Sequence, residues 1–271
     1  LQSAAEIAKR IGASDIAAQS LCELGYGEAL AGRRPSAATY LDDALGYAAN
    51  NDTCLASIHA FLGFNLVDWG KIELGASHFQ QSLDLARRAE NRRREIWALG
   101  IGAWGVFRAG RAEDACAWLT QCIALCDETR WLAFRPWPVA LLAEVRLAMH
   151  EVSNSMQNDL EEALALSNQL GDPCWQAAAA RSLALVQMDA QNFDEAGKWL
   201  AHARERCCSV TDLYAGLLVE ILADQVRLSQ KQGDDQTASA LARDLLPVVA
   251  KTHADGHLDF AMAALGAGKS G

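Results

Sequence analysis

The side chains best able to do chemistry in this sequence are its histidines, paired carboxylates and cysteines, and their spacing limits what they could do. His59 and His78 belong to neighbouring helical stretches, His202 stands alone, and His253 and His257 flank a turn. General acid–base catalysis needs such a group beside a nucleophile, and none of them belongs to a nucleophile pattern such as G-x-S-x-G. Adjacent acids occur as Asp42-Asp43, Glu161-Glu162 and Asp234-Asp235. On helices such pairs face water or cap a helix start, where a carboxylate accepts from free backbone N–H groups. The eight cysteines include no C-x-x-C pair, and Cys116, Cys122 and Cys126 share one helical stretch. They carry no zinc-ligand spacing and read as small buried hydrophobes of a reducing cytosol. The run Gly266-Ala267-Gly268-Lys269-Ser270 has the end of a phosphate-loop motif, but Ala263 stands where the first glycine is needed. A short tail of small residues is expected there. No catalytic residue, no metal site and no cofactor is expected, so the sequence points away from an enzyme.

The elements that position these side chains are helices. Strand-like β-branched runs are short, whereas apolar residues recur at helical spacing between regularly placed turn residues. Gly32, Gly70, Gly110, Asn192 and Gly233 each close one helical pattern and open another, and the wide gap after Gly110 leaves room for a further turn near Glu151–Ser153. Aligning the second helix of each pair on its central apolar residue gives Leu41, Phe79, Leu119, Leu160, Leu200 and Leu241, at steps of 38, 40, 41, 40 and 41. Three residues later stand Ala44, Ser82, Cys122, Ala163 and Ala203, with Asp244 as the exception. A small residue there lets a neighbouring helix approach closely. Tyr40, Trp118 and Trp199 precede three of the central residues and fill the space beside them.

The expected fold is therefore all-α: a right-handed superhelix of about six helical hairpins with a period near 40 residues. The hairpins are expected at about 15–51, 52–91, 92–131, 135–172, 173–210 and 211–255, with capping segments at 1–12 and 256–266. The whole is read as a single helical-repeat domain, 1–271, cut from a larger protein, because the chain opens on Leu1. The net charge of −10 argues against direct nucleic-acid binding. No stretch of eighteen apolar residues exists, so no membrane association is expected, and no secretory signal opens the chain. A cytoplasmic location follows from these readings.

Leu24-Gly25-Tyr26, then Ala37 and Leu41-x-x-Ala44, resemble the tetratricopeptide pattern L-G-x-x-Y…A-x-x-x-F-x-x-A. Leu62-Gly63-Phe64 with Gly75, Phe79 and Ser82 repeats it, as do Ala115, Leu119 and Cys122. These repeats exceed the usual 34 residues and lack the closing proline. Long repeats of this kind, with phrases such as Ala-Gly-Arg-Ala-Glu-Asp-Ala at 109–115 and Asn-Phe-Asp-Glu-Ala at 192–196, resemble the sensor superhelix of large bacterial transcription regulators of the MalT and LuxR type. That resemblance implies a regulatory module that binds a protein or peptide partner, other domains of its own polypeptide, or a small effector. The alternative is a stand-alone interaction scaffold; an all-α enzyme is a third reading. The family's groove positions, carried over on Gly25 and Gly63, fall on Gln19, Cys22, Tyr26 and Ala29, and on Ser57, Ala60, Phe64 and Val67. A groove so lined is apolar and suits a hydrophobic helix or an uncharged small molecule.

The tryptophans sharpen this into a candidate site, since eight in 271 residues is above average usage. Trp97 and Trp104 lie seven apart on one helical face, and Trp69 closes the preceding first helix. Trp131, Phe134 and Trp137 surround Arg130 and Arg135 in the link at 129–138. The expected ligand- or partner-binding residues are Tyr26, Phe64, Trp69, Trp97, Trp104, Arg108, Arg130, Arg135 and Trp137. Arg87-Arg88 and Arg92-Arg93-Arg94 form a basic run, expected to be a solvated helix end where cations complement the helix dipole.

Overall fold

The computed structural model describes residues 1–153, 155–210 and 214–267. Among them the chain forms α-helices, one short 3-10 turn at Asp255–His257 and no strand. No helix among the described residues is long and apolar enough to cross a membrane. Gly268, Lys269 and Ser270 of the glycine-rich run lie outside the described residues. The chain divides into two compact units, Leu1–Leu125 and Cys126–Gly271.

The first unit holds α1 (Gln2–Ile11), α2 (Ser14–Leu30), α3 (Arg34–Ala48), α4 (Asp52–Asp68), α5 (Ile72–Arg88), α6 (Arg92–Arg108) and most of α7 (Ala112–Thr129). The second holds the end of α7, then α8 (Pro136–Ala148), α9 (Met156–Leu170), α10 (Pro173–Asp189), α11 (Phe193–Cys207), α12 (Ala215–Lys231), α13 (Asp235–Thr252) and α14 (Leu258–Ala267). Helices α2 to α13 pair into six tetratricopeptide-like hairpins.

Helix starts and stops follow local chemistry. Asn51, Asn91, Asp172 and Asp234 accept through their side chains from backbone N–H groups of the first turn, opening α4, α6, α10 and α13. Within the hairpins the chain turns on a left-handed residue at Gly32, Gly70, Gly110, His150, Gln191 and Gly233. Each is followed by an N–H that donates five residues back, as Lys71 does to the Leu66 carbonyl at 2.8 Å and Asn192 to Gln187 at 2.8 Å. This satisfies carbonyls that the helix end would leave open. The glycines made four of the six turns visible. His150 and Gln191 adopt φ of 59° and 60° without that signature, at a cost of about 1–2 kcal/mol each that the packed flanking helices must outweigh.

The second helices bury one stripe. Ala37, Leu41, Ala44 and Ala48 recur as Ala115, Leu119, Cys122 and Cys126, and as Ala196, Leu200, Ala203 and Cys207, every one fully buried. At the small position Ser82 donates to the Ala56 carbonyl at 2.7 Å and Cys122 to the Ile96 carbonyl at 3.3 Å. Both carbonyls belong to the first helix of the same hairpin and lie at the same depth. In α13 the stripe is Ala238, Ala242, Leu245 and Val249, each at most 2% exposed. The sixth central residue is thus Ala242 and not Leu241, which is only partly buried. The slip of one residue explains the exposed Asp244, because Leu245 holds the inward position.

A buried ion pair joins the first two hairpins. Arg34, with no exposed surface, lies 2.8 Å from the Asp68 carboxylate and donates to the Ala29 carbonyl at 2.6 Å. Asn65 donates in turn to the Arg34 carbonyl at 3.1 Å. The pairing lets a charged side chain be buried where a lone one would be expelled.

Candidate functional site

In the first unit, the first helices of three successive hairpins each contribute a ring to one cluster. Tyr26 of α2 stacks on Phe61 of α4 with centroids 4.3 Å apart and planes 13° apart. Trp97 of α6 stands nearly perpendicular to both, its centroid 5.7 Å from Tyr26 and 5.2 Å from Phe61. Phe64 lies 5.9 Å from Tyr26 and 6.2 Å from Trp104. Such edge and offset contacts add about 0.5–1.5 kcal/mol per pair beyond burial. Phe61 and Phe64 are buried, Trp104 is 9% exposed, and Tyr26 and Trp97 remain partly open.

Four of the nine expected site residues, Tyr26, Phe64, Trp97 and Trp104, therefore meet in one cluster. Trp69 and Arg108 stand instead at the far ends of α4 and α6, where the Lys71 ammonium sits 3.9 Å over the Trp69 ring. Phe61, which the sequence reading passed over, is the ring the other two pack on. It falls four residues after Ser57, one turn along the same face.

One turn closer to the helix starts, a cavity of about 150 Å³ opens between the same three helices. Its walls carry Asp15, Gln19 and Glu23 from α2, Thr53 and Ser57 from α4, and Arg94 from α6. Asn51, Cys22 and Cys54 complete it, both thiols pushed up by burial and so kept neutral. Gln19, Cys22 and Ser57 are groove positions expected to form an apolar lining. The lining here is polar and charged, because Asp15, Glu23 and Arg94 sit beside them.

The basic run also differs from expectation. Arg92, Arg93 and Arg94 stand at the N-terminus of α6, where the dipole opposes cations instead of complementing them. Buried Glu95 offsets them: Arg87 lies 3.0 Å and Arg92 2.9 Å from its two oxygens. Arg88 forks onto Asp52 from the end of α5. Arg94 makes no side-chain hydrogen bond or ion pair with any described residue.

A different histidine pair ties α4 to α5. The Nδ1 atoms of His59 and His78 lie 2.8 Å apart, one donating to the other. Burial, and then the neighbouring ring, pushes His59 down to about 4, and burial lowers His78 as well. Among the described residues no group of three or more His, Cys, Asp or Glu side chains is placed to hold a metal ion.

The second unit uses its aromatic link for packing. Trp131 stacks on Phe134 at 5.1 Å, Phe134 meets Trp175 at 5.9 Å, and Trp137 meets Trp175 at 5.5 Å. Phe134 and Trp137 are 3% and 7% exposed, so both face the interior of the unit. Arg135 donates to Asp127 at 2.7 Å, while Arg130 is exposed on a left-handed turn at φ 55°.

The first helices of this unit share a charge cluster with no counterpart among the residues singled out above. Arg181 of α10 lies 2.8 Å from Glu144 of α8, 2.6 Å from Asp224 and 3.5 Å from Glu220 of α12. Ser182 donates to Glu144 at 2.9 Å, Arg227 lies 2.6 Å from Asp224, and His257 lies 3.2 Å from Glu220. Burial works against the Arg181 charge, but the three carboxylates outweigh it and hold its proton tighter than usual. Burial pushes the Glu144 carboxyl up.

No protein-family model matches the chain, and no curated protein matches it. Its fold is shared with solved tetratricopeptide-like proteins. Aspartyl phosphate phosphatase F from Bacillus subtilis superposes with a TM-score of 0.67 at 15% identity, over 85% of this chain and 59% of its own. A Rap protein complexed with Competence and Sporulation Factor gives 0.68 at 14% identity, over 84% and 63%. The tetratricopeptide sensor protein of the signal transduction ATPase class from Pyrococcus horikoshii gives 0.58 at 10% identity, over 91% of this chain and 42% of its own. The chain thus spans about three fifths of the length of the first two. At these identities the likeness establishes an all-α tetratricopeptide-like repeat fold.

Proposed function

We propose that the chain is a non-catalytic binding module that takes a peptide or protein partner on the first-helix face of its first unit. The observation that carries this is the ring cluster of Tyr26, Phe61 and Trp97, in which buried Phe61 backs two rings left partly open. Partly exposed aromatic side chains on a rigid helical base give large contact area at small entropic cost. The Rap protein above, complexed with Competence and Sporulation Factor, is a precedent for a partner bound to this fold. The finer reading is a sensor module of a multidomain bacterial transcription regulator acting in the cytoplasm; the Pyrococcus protein, in which such repeats serve as a sensor beside an ATPase, supports that arrangement.

A peptide array scanned with the purified chain tests the binding reading. Peptides that bind the wild type should lose at least tenfold in affinity with Tyr26→Ala and Trp97→Ala, and keep it with Trp199→Ala in the second unit. Binders indifferent to both ring variants would refute the site. The regulator reading predicts an ATPase module before these repeats and a helix-turn-helix after them, which the complete gene sequence settles.

A further inference from the structure

We propose that the cavity beside the ring cluster binds a free α-amino acid with an apolar or aromatic side chain. This rests on the reading that the first-helix face of the first unit is a binding surface. Arg94 supplies the reason for a carboxylate. Arg94 is partly buried as a residue, and its guanidinium has no hydrogen-bond or ion-pair partner among the described residues, while Arg87, Arg88 and Arg92 in the same run hold acids. A planar fork of donors left open in a cavity wall matches a carboxylate in bidentate fashion.

Asp15 and Glu23 line the same cavity and do not pair with Arg94. Among the described residues Asp15 accepts only a long side-chain bond, from Asn51 at 3.4 Å. Two carboxylates and one guanidinium disfavour a simple anion, which would meet both acids, and a simple cation, which would meet Arg94. A zwitterion satisfies all three groups, with its carboxylate on Arg94 and its ammonium toward Asp15 and Glu23. Ser57 spends its hydroxyl proton on the Thr53 carbonyl at 3.1 Å, so its oxygen is left to accept from an ammonium.

Size limits the ligand further. The volume of about 150 Å³ is below the roughly 300 Å³ at which clefts begin to hold drug-sized molecules. That volume matches a single amino acid. Tyr26 lies four residues after Cys22, Phe61 four after Ser57 and Trp97 three after Arg94, one helical turn in each case. A side chain leaving the cavity on that side would meet the partly exposed Tyr26 and Trp97. The larger depression in the second unit, about 580 Å³ and lined by Gln187, Phe193, Asp194, Glu195 and Gln232 among others, has no cation in its lining.

Thermal-shift and Trp fluorescence titrations of the purified chain with each of the common amino acids test the assignment. At least one apolar or aromatic amino acid should raise the melting temperature saturably and change Trp97 emission. Its N-acetyl and carboxamide derivatives should each bind at least tenfold more weakly, as should the free amino acid with Arg94→Gln or Glu23→Gln. If Arg94→Gln does not fold, Glu23→Gln carries the same test. No response to any amino acid, unchanged binding in the variants, or equal binding of a tripeptide would each overturn the proposal. Failure here with array peptides still lost in Tyr26→Ala removes the amino-acid site and leaves the partner reading standing; the reverse pattern removes the partner reading.

Discussion

The Arg181 guanidinium lies 2.6 Å from the Asp224 carboxylate, joining α10 to α12 through residues 43 apart in sequence. With Glu144 and Glu220 also on Arg181, one cation holds three carboxylates in a nearly closed environment. Arg181→Met should therefore destabilise the chain by about 3–5 kcal/mol, the usual result of stranding buried charge. The loss should depend on pH in a defined sense. Glu144 already has its folded pKa raised by burial, and without Arg181 it rises further. A carboxyl raised in the folded state contributes stability below its unfolded pKa and loses it as pH rises through the folded value. Urea denaturation should find the variant nearest to wild type around pH 4 and increasingly weaker toward neutrality; a gap independent of pH would show that packing, not charge, is lost.

The His59–His78 bond gives the opposite slope. Both imidazoles titrate lower in the folded chain than the ordinary 6.5, His59 at about 4. The unfolded chain therefore binds more protons between these values, and stability falls as pH drops from about 6.5 toward 4. Discounted for partial exposure, the loss should be roughly 1–2 kcal/mol. A His59→Gln/His78→Gln chain should lose less over the same range in denaturant midpoints. Equal slopes in the two proteins would contradict the assignment.

Four glycines separate packing from propensity. A Cβ on Gly63 would meet the Gly75 carbonyl at 2.9 Å, and one on Gly75 would meet the Gly63 carbonyl at 2.8 Å. Ala at either position should cost about 1–3 kcal/mol by forcing α4 from α5, despite the roughly 1 kcal/mol that Ala gains in helix propensity. Gly27 and Gly46, inside α2 and α3, have nothing within 4 Å. Gly27→Ala and Gly46→Ala should stabilise by up to about 1 kcal/mol. Melting temperatures that move the same way in all four variants would contradict this reading of the hairpin contact.

Within the ring cluster, stability and binding should come apart. Phe61→Ala empties a buried position and should cost about 3–5 kcal/mol. Tyr26→Ala, at a half-open position, should cost less and fall mainly on partner affinity. Measuring unfolding and peptide binding on the same two proteins checks both, and a Tyr26→Ala chain with undiminished affinity would remove Tyr26 from the site.

The hairpin period was legible in the sequence because it rests on local chemistry: glycines at left-handed turns and one small residue beside a large one. Where glycine is absent the turns still show, at Asn192 and near Glu151–Ser153, but the left-handed residues themselves, His150 and Gln191, carry no local signature; where two apolar residues compete, Leu241 stands in for Ala242. In the candidate site, Tyr26, Phe64, Trp97 and Trp104 were identified by residue type and helical spacing. Phe61 was missed because nothing local distinguishes a ring that backs others from an ordinary core ring. Arg94 was hidden in a run in which Arg87 and Arg92 are neutralised by Glu95 and Arg88 by Asp52. Arg181 had no local signal at all: it interrupts an alanine-rich helix, and its partners lie 37 to 43 residues away. Pairings between hairpins are a property of the stack, and no window within one helix contains them.

The left-handed turn residues at 32, 70, 110, 150, 191 and 233 recur at nearly one interval, and each closes its own bonds within five residues. Cutting the gene between any two of them joins like to like, so the fold can grow or shrink by unequal recombination in steps of one hairpin. The Arg34–Asp68 and Arg181–Asp224 pairs resist this, since each needs a particular neighbour. Lineages of such a protein should therefore vary in length at hairpins that carry no cross-linking charge, and keep those that do.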